Sequence, residues 1–332
     1  MQKLRTLFLA CLLAGALSCK DSKSEKSYLP PSTGGINSLM VVMDTELWNS
    51  NVGDKVREHF AQPALGLSPE QAIFNITQVP PQIFRGSMSH SRSVLFVEED
   101  SISRAHIKRD VYAEPQRVAV VKGTSHEELI SNVDSLAPKA ITAFRKLEIE
   151  EAQKRFTRSL NKEDALQEKF GIKLTIPSVY SVGKQEDNFV WMDRQIQKGT
   201  MNILVYEMPE NSFANDSTFV SDIIRMRDSI GEKYIPGPDV PGKQTYMMTE
   251  KAFAPYVFPA ELNGLKAVEV KGIWEINGYP MAGPFLTYII NDKQHNRKLV
   301  LEGFTFAPST QKRDYMFELE AILKTLQFTD AQ

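Results

Sequence analysis

Residues 283–291 read Gly-Pro-Phe-Leu-Thr-Tyr-Ile-Ile-Asn, and both faces of an extended chain over this stretch are apolar. Phe285, Thr287 and Ile289 fall on one side, and Leu286, Tyr288 and Ile290 on the other. A strand of that kind has to lie inside a sheet that is covered on both faces. Strand-like runs at 245–256, 266–276 and 298–306 flank it. They are followed by a helical stripe of Tyr315, Leu319, Ile322, Leu323 and Leu326. Upstream, short strands are expected at 172–176, 179–182, 189–196 and 201–208. A helix over 218–234 carries Phe219, Ile223, Met226 and Ile230 on one face. A sheet of mostly antiparallel strands with helices packed on it satisfies this pattern.

The earlier part of the chain has a different rhythm. An apolar run at 36–44 reads as a buried strand ending at Asp44 as a helix cap. A helix then bears Trp48, Val52, Val56 and Phe60 at four-residue spacing. Strands are expected at 74–79, 93–98 and 117–121. Ser125 with Glu128 forms a capping box for a helix carrying Leu129, Ile130, Val133, Leu136 and Ala137. Pro138 is expected to kink that helix or split it, and residues 148–158 are heavily charged, with Glu150/Lys154 and Glu151/Arg155 as supporting pairs. The fold expected is therefore α+β, with mostly antiparallel sheets and packed helices in two α/β halves, 36–159 and 160–330. The tryptophans, Trp48, Trp191 and Trp274, read as core residues.

Ahead of these halves the chain carries an address. Lys3 and Arg5 precede an apolar stretch at 7–17 and small residues, the three parts of a secretory signal. The stretch is shorter than the roughly 20 residues a membrane helix needs. Ala16-Leu17-Ser18-Cys19 resembles the bacterial lipobox, with Ala16 where Leu is commoner, so residues 1–18 read as a lipoprotein signal and Cys19 as the lipid attachment site. Two or three acyl chains on Cys19 make a stable anchor where one alone binds only marginally. Lys20 directly after Cys19 points to the outer membrane, with the periplasmic or surface face left open. Residues 19–35 are polar and close on Pro-Pro and Gly-Gly, as a disordered tether would. Such a tether extends to about 50 Å.

Two cysteines are present, Cys11 and Cys19. The first leaves with the signal and the second carries lipid, so the mature chain has no disulfide, thiolate zinc site or iron–sulfur cluster. Lys plus Arg total 39 against 41 Asp plus Glu. A surface so balanced argues against a nucleic-acid partner, which calls for a basic stripe.

The element order of the second half, a Pro-terminated opening strand (Ile172 to Pro177), a strand–helix turn and a closing three-strand meander plus helix, resembles the Mog1/PsbP type of α/β/α sandwich. That resemblance implies a partner-binding module rather than an enzyme. A second resemblance covers nearly the whole mature chain. Residues 29–37 (Leu-Pro-Pro-Ser-Thr-Gly-Gly-Ile-Asn), Phe84-Arg85 with Ser91-Arg92-Ser93, residues 281–288 and residues 301–309 are similar to a family of Bacteroidetes lipoproteins catalogued only as a domain of unknown function, family 4837. It implies an envelope lipoprotein and supplies no active site.

The residues supply none either. His59, His90, His106, His126 and His295 lack the spacing of a helical metal site. Ser-Thr-Gly-Gly at 32–35 lacks the Lys of a phosphate loop, and no Gly-x-Ser-x-Gly elbow occurs. No catalytic residue, metal site or cofactor is therefore assigned. Arg85, Arg92, Lys312 and Arg313, with His90, stand near strand or helix ends where anions bind. Ser101 and Ser217 follow Asp in loops, in the Asp-Ser/Thr-apolar pattern of Bacteroidetes O-glycosylation. The functional expectation is a lipid-anchored cell-envelope module that binds or assembles with an envelope protein. An envelope hydrolase with an unrecognised site and a lipid or glycan carrier are the alternatives.

Overall fold

The computed structural model describes residues 28–213, 215 and 217–329. The signal 1–18, Cys19 and the first part of the tether, 19–27, lie outside the described residues.

The first sheet is built from β1 (Ser38–Val42), β2 (Asn75–Val79), β3 (Ser93–Glu99), β4 (Arg104–Arg109) and β5 (Arg117–Gly123), in the order β2-β1-β3-β5-β4. Three of its pairings are parallel, and only β4 runs antiparallel to β5. The parallel strands are short and rich in Val, as strands covered on both faces should be. After β1 come a single turn, α1 (Thr45–Trp48), and α2 (Asn51–Phe60); after β5 comes α3 (His126–Phe156). Val52, Val56 and Phe60 of α2 and Leu129, Val133 and Phe144 of α3 bury one face against Leu39, Val41, Leu95 and Ala119. On the other face, Val42, Val79, Val94, Val118 and Val120 lie under Phe84 and Val111, which loops supply.

Ser125 does cap α3: its hydroxyl accepts from the Glu128 amide at 3.4 Å. The Glu128 carboxylate reaches back one residue further than a capping box requires, to the amide and hydroxyl of Thr124. Contrary to expectation, Pro138 does not split the helix, which is continuous over 31 residues. A proline interior to a helix costs a hydrogen bond and a steric clash. Here packing on both sides of it offsets that loss, because Ala137, Ala140 and Phe144 belong to the first core and Ala152 and Phe156 to the second. The helix α3 is thus common to both cores.

Part of the stretch expected as a tether is bonded to the folded body. The Thr33 amide donates to the His90 carbonyl at 2.8 Å, and the Glu114 amide to the Pro30 carbonyl at 2.9 Å. Residues 30–33 are therefore a strap fastened to the first unit, with Pro31 bridged to Glu114 and Thr33 to Ser91.

After a short helix α4 (Ala165–Phe170) and a short strand β6 (Ile172–Lys173), the second sheet begins. Its members are β7 (Ser181–Glu186), β8 (Phe189–Ile196), β9 (Gly199–Pro209), then α5 (Phe219–Tyr234), then β10 (Met247–Thr249), β11 (Tyr256–Leu262), β12 (Leu265–Ile276), β13 (Tyr279–Asp292) and β14 (Arg297–Phe306). The order is β10-β12-β13-β14-β9-β8-β7, with β11 beside β10 on β12, and every pairing is antiparallel. The helix α6 (Arg313–Leu323) and strand β15 (Gln327–Phe328), paired with β6, complete the chain. Antiparallel pairing dominates, and the class is α+β. The strand expected at 245–256 is broken, because the Glu250 carboxylate accepts from the Ala252 and Phe253 amides and turns the chain. Pro255 then has no amide to offer a ladder.

The strand β13 lies between β12 and β14 as its two apolar faces demand. Phe285 and Ile289 pack with Ile223 and Met226 of α5, while Leu286, Tyr288 and Ile290 pack with Phe317, Leu319 and Ile322 of α6. One buried ion pair crosses this interior. Arg227 of α5 donates from Nε (2.9 Å) and Nη2 (2.7 Å) to the two oxygens of Glu302 on β14. The Thr249 hydroxyl accepts from Arg227, the Thr287 hydroxyl donates to Glu302, and the guanidinium stacks 3.3 Å over the Phe285 ring. Buried charges persist only where they are paired and bonded in this way.

Candidate functional site, a mixed-charge cleft between the two sheets

Three elements each place a line of side chains on one cleft of about 400 Å³. On β12 the two-residue period turns Val270, Gly272 and Trp274 toward α5, so Glu269 and Lys271 face the other way. On α6, Arg313, Met316, Phe317 and Glu320 recur at helical spacing and share a stripe that Lys324, the residue capping the helix end, continues. Ile141 and Arg145, one turn apart, come from α3. The loop residues Leu65, Gly66 and Leu67 close the rim, and Gly66 sits against Lys271 and Gly272 at a positive φ of 78°. A Cβ there would meet the Gly272 amide nitrogen at 3.2 Å.

The first unit also finishes the helix of the second. No side chain of its own caps α6. Instead the Gln71 side-chain oxygen accepts from the Lys312 and Arg313 amides at 2.9 and 3.0 Å. Free amides of a first helical turn need such a partner. Arg313 donates to the Ala72 carbonyl (2.9 Å) and the Asn75 side chain (3.1 Å), and Asn37 donates to Asp314 (3.2 Å). The cleft is therefore stitched along one side.

Its charges are spent on one another. Glu320 is buried and accepts from Arg145 at 2.7 Å and Lys324 at 2.8 Å. Burial opposes its ionisation, but the charges of Arg145, Lys271 and Lys324 outweigh that and hold the carboxyl well below its ordinary range. Glu269 takes Lys271 at 2.7 Å on one oxygen and the Tyr288 hydroxyl at 2.6 Å on the other. Burial first, and then the charges of Glu320 and Glu269, push the Tyr288 phenol well above its usual value. The Arg145 guanidinium also lies 5.7 Å from the Phe317 ring centre. No serine, threonine, histidine or cysteine lines the cleft. Among the described residues no group of three His, Cys, Asp or Glu side chains could hold a metal ion. The cleft lining combines apolar patches with fixed charges of both signs.

Of the residues singled out from the sequence, only Arg313 lines this cleft. Arg92 is buried and gives its charge to Glu148, with Nη1 at 2.9 and 3.0 Å from the two carboxylate oxygens. It also donates to the Gly34 carbonyl, one residue past the strap. Lys312 is buried and donates to the Thr310 carbonyl, while Arg313 pairs with Asp314. Arg85 is exposed on the loop after β2. Ser101 and Ser217 are both exposed in turns, bonded to Asp100 and Asn215. Arg145, Glu269, Lys271, Glu320 and Lys324 belong to no motif that the sequence displays. Their signal was present: charged residues in an apolar strand and beside an apolar helical stripe.

Fold and site together define an α+β protein with a mixed-charge cleft at the junction of a mostly parallel and an antiparallel sheet. Two family models match the chain, "Domain of unknown function (DUF8532)" over residues 32–157 and "Domain of unknown function (DUF4837)" over residues 159–325. The second spans half of the chain, and the chain belongs to that family. No curated protein matches it. Among solved structures, the Ran-binding protein Mog1p of Saccharomyces cerevisiae is similar at 8% identity over 48% of this chain and 91% of that one, with a TM-score of 0.30. A point mutant of protein Mog1 gives 9%, 48%, 92% and 0.29.

Proposed function

We propose that this chain is a cell-envelope lipoprotein of Bacteroidetes type, held in the outer membrane through acylated Cys19, and that it acts as a non-catalytic binding or assembly module for an envelope protein. Residues 36–159 and 160–330 serve as its two halves, and the cleft between the sheets is the face it offers. The reading is carried by the way the cleft's ions are paired. Glu320 stays ionised and is clamped by Arg145 and Lys324, so it has no proton to give as a general acid. Charges fixed in this way are preorganised for a complementary surface and favour specificity of docking.

The test is cross-linking in intact cells, purification of the native lipoprotein and mass spectrometry, beside a Cys19→Ala control. The reading expects one stoichiometric partner with the acylated protein and none with the control. Repeated captures without a partner at native expression would remove the assembly role.

A further inference from the structure

The strap that leads toward Cys19 is fastened into a loop platform that exposes Ile83, Met88 and Tyr112 among the polar Gln82, Arg85, Ser87 and Glu114, and this amphipathic platform points to a bilayer. The residues around it are joined by hydrogen bonds rather than by proximity in sequence alone. Thr33 is bonded to His90, and Pro30 and Ser32 to Glu114. Gln116 stitches the two loops together: its amide nitrogen donates to the carbonyls of Ser89 and Ser91 at 2.8 Å each, and its oxygen accepts from the Tyr112 amide at 2.9 Å. The rings of Phe84 and Tyr112 meet edge to face at 5.5 Å. In these loops Ile83 is 45% exposed, Met88 41% and Tyr112 39%, and Tyr28, two residues before the strap, is 87% exposed.

Apolar and aromatic side chains gathered on the outside of a soluble fold mark a contact surface. The chain itself says which surface. Nine residue steps separate Tyr28 from Cys19, a reach of at most about 30 Å. With Cys19 acylated, the platform is the part of the described body that is tied closest to the lipid. Arg85 and Arg109 are exposed beside it and Arg117 is half-buried, against Asp110 and Glu114. This near balance neither repels an anionic surface nor depends on one. Tyr is enriched at membrane interfaces, and long basic side chains extend to the headgroups.

We propose that the loops at 81–91 and 110–114, with Tyr28, rest in the headgroup layer of the membrane that holds the lipid anchor, and so orient the body with the platform down. This rests on the anchor reading above, and its test separates the two. Because the mature chain offers no free thiol once Cys19 is acylated, single exposed positions can be labelled after substitution. The acylated protein carrying Met88→Cys, Ile83→Cys or, as control, Phe253→Cys takes a polarity-sensitive fluorophore and is reconstituted into phosphatidylethanolamine–phosphatidylglycerol vesicles with or without nitroxide-labelled lipid. Phe253 is 76% exposed on the second unit. The proposal expects blue-shifted emission, roughly halved by the nitroxide, at 83 and 88, as for groups about 5–10 Å into the interface, and no change at 253. With Cys19 acylated by mass, no quenching at 83 and 88 overturns the platform and leaves the anchor standing. Quenching at 253 equal to that at 88 overturns the orientation. Labels unquenched in vesicles but shielded in native envelopes assign the platform to a protein and overturn the bilayer contact. An unacylated Cys19 overturns both.

Discussion

Replacing Glu320 with Gln keeps the shape of the side chain and removes the charge on which the cleft converges. Two charge-assisted hydrogen bonds are lost or weakened, from Arg145 at 2.7 Å and Lys324 at 2.8 Å. At about 1.5–3 kcal/mol each they amount to a gross loss of about 3–6 kcal/mol. Relief of the carboxylate's desolvation offsets part of this. Arg145 and Lys324, 28% and 27% exposed, recover some hydration when released. A net destabilisation of about 2–3 kcal/mol is expected at pH 7. Its pH dependence has a definite sign. The folded carboxyl is depressed below its unfolded value, so its contribution is fully present above that value, about 4.3, and is lost as pH falls through the folded one. One unit below the unfolded value, the gap between native protein and Glu320→Gln should have narrowed by about 1.4 kcal/mol. Urea denaturation of both proteins at pH 7 and near pH 3.3 measures this, with fluorescence and circular dichroism as paired probes. A gap that stays constant across this range, or is under about 0.5 kcal/mol at pH 7, refutes the claim that the cleft cations hold Glu320 ionised.

Arg227→Met leaves Glu302 buried without its counterion and should cost about 3–5 kcal/mol, whereas Arg227→Met with Glu302→Met should recover most of that; urea midpoints of the singles and the double decide it. Gly231 of α5 lies under β10, where a Cβ would stand 1.8 Å from the Met247 carbonyl oxygen. Gly231→Ala should therefore cost about 3 kcal/mol or more and lower the melting temperature by several degrees. Gly242→Ala, with open space around it but a φ of 72°, should lose only the backbone cost of about 1–2 kcal/mol. Peptides bearing Ser101 and Ser217 from native protein should carry glycan mass, and unmodified peptides would remove the glycosylation proposal.

The elements were legible where periodicity was strong. Phe285 to Ile290 announced a doubly covered strand, and it lies between β12 and β14. Ser125 announced the start of α3. The charged strand β4, Arg-Ala-His-Ile-Lys-Arg, went unread because an edge strand needs only one buried face and its pattern is faint. Pairing was also hidden. Nothing local says that β14 joins β9 across nearly a hundred residues, or that the first sheet is mostly parallel. Pro138 misled because the penalty it carries is local while the burial that offsets it comes from two cores. The cleft was the least legible feature. Glu269, Lys271, Glu320 and Arg145 come from three separate elements, and only their packing makes a site of them. Of the basic residues near element ends, Arg92 holds Glu148 away from the cleft, while Arg313 lines the cleft and pairs with Asp314.

If the anchored body presents this cleft to a partner, a photo-reactive residue at Leu65, 47% exposed on the cleft rim, should capture that partner. The same residue at Val179, 58% exposed and away from the cleft lining, serves as the reference. Irradiation of cells should yield a single covalent adduct from Leu65, absent from Val179 and lost when Cys19→Ala prevents anchoring. No adduct at Leu65, or identical adducts from both positions, would show that the cleft is not a docking face.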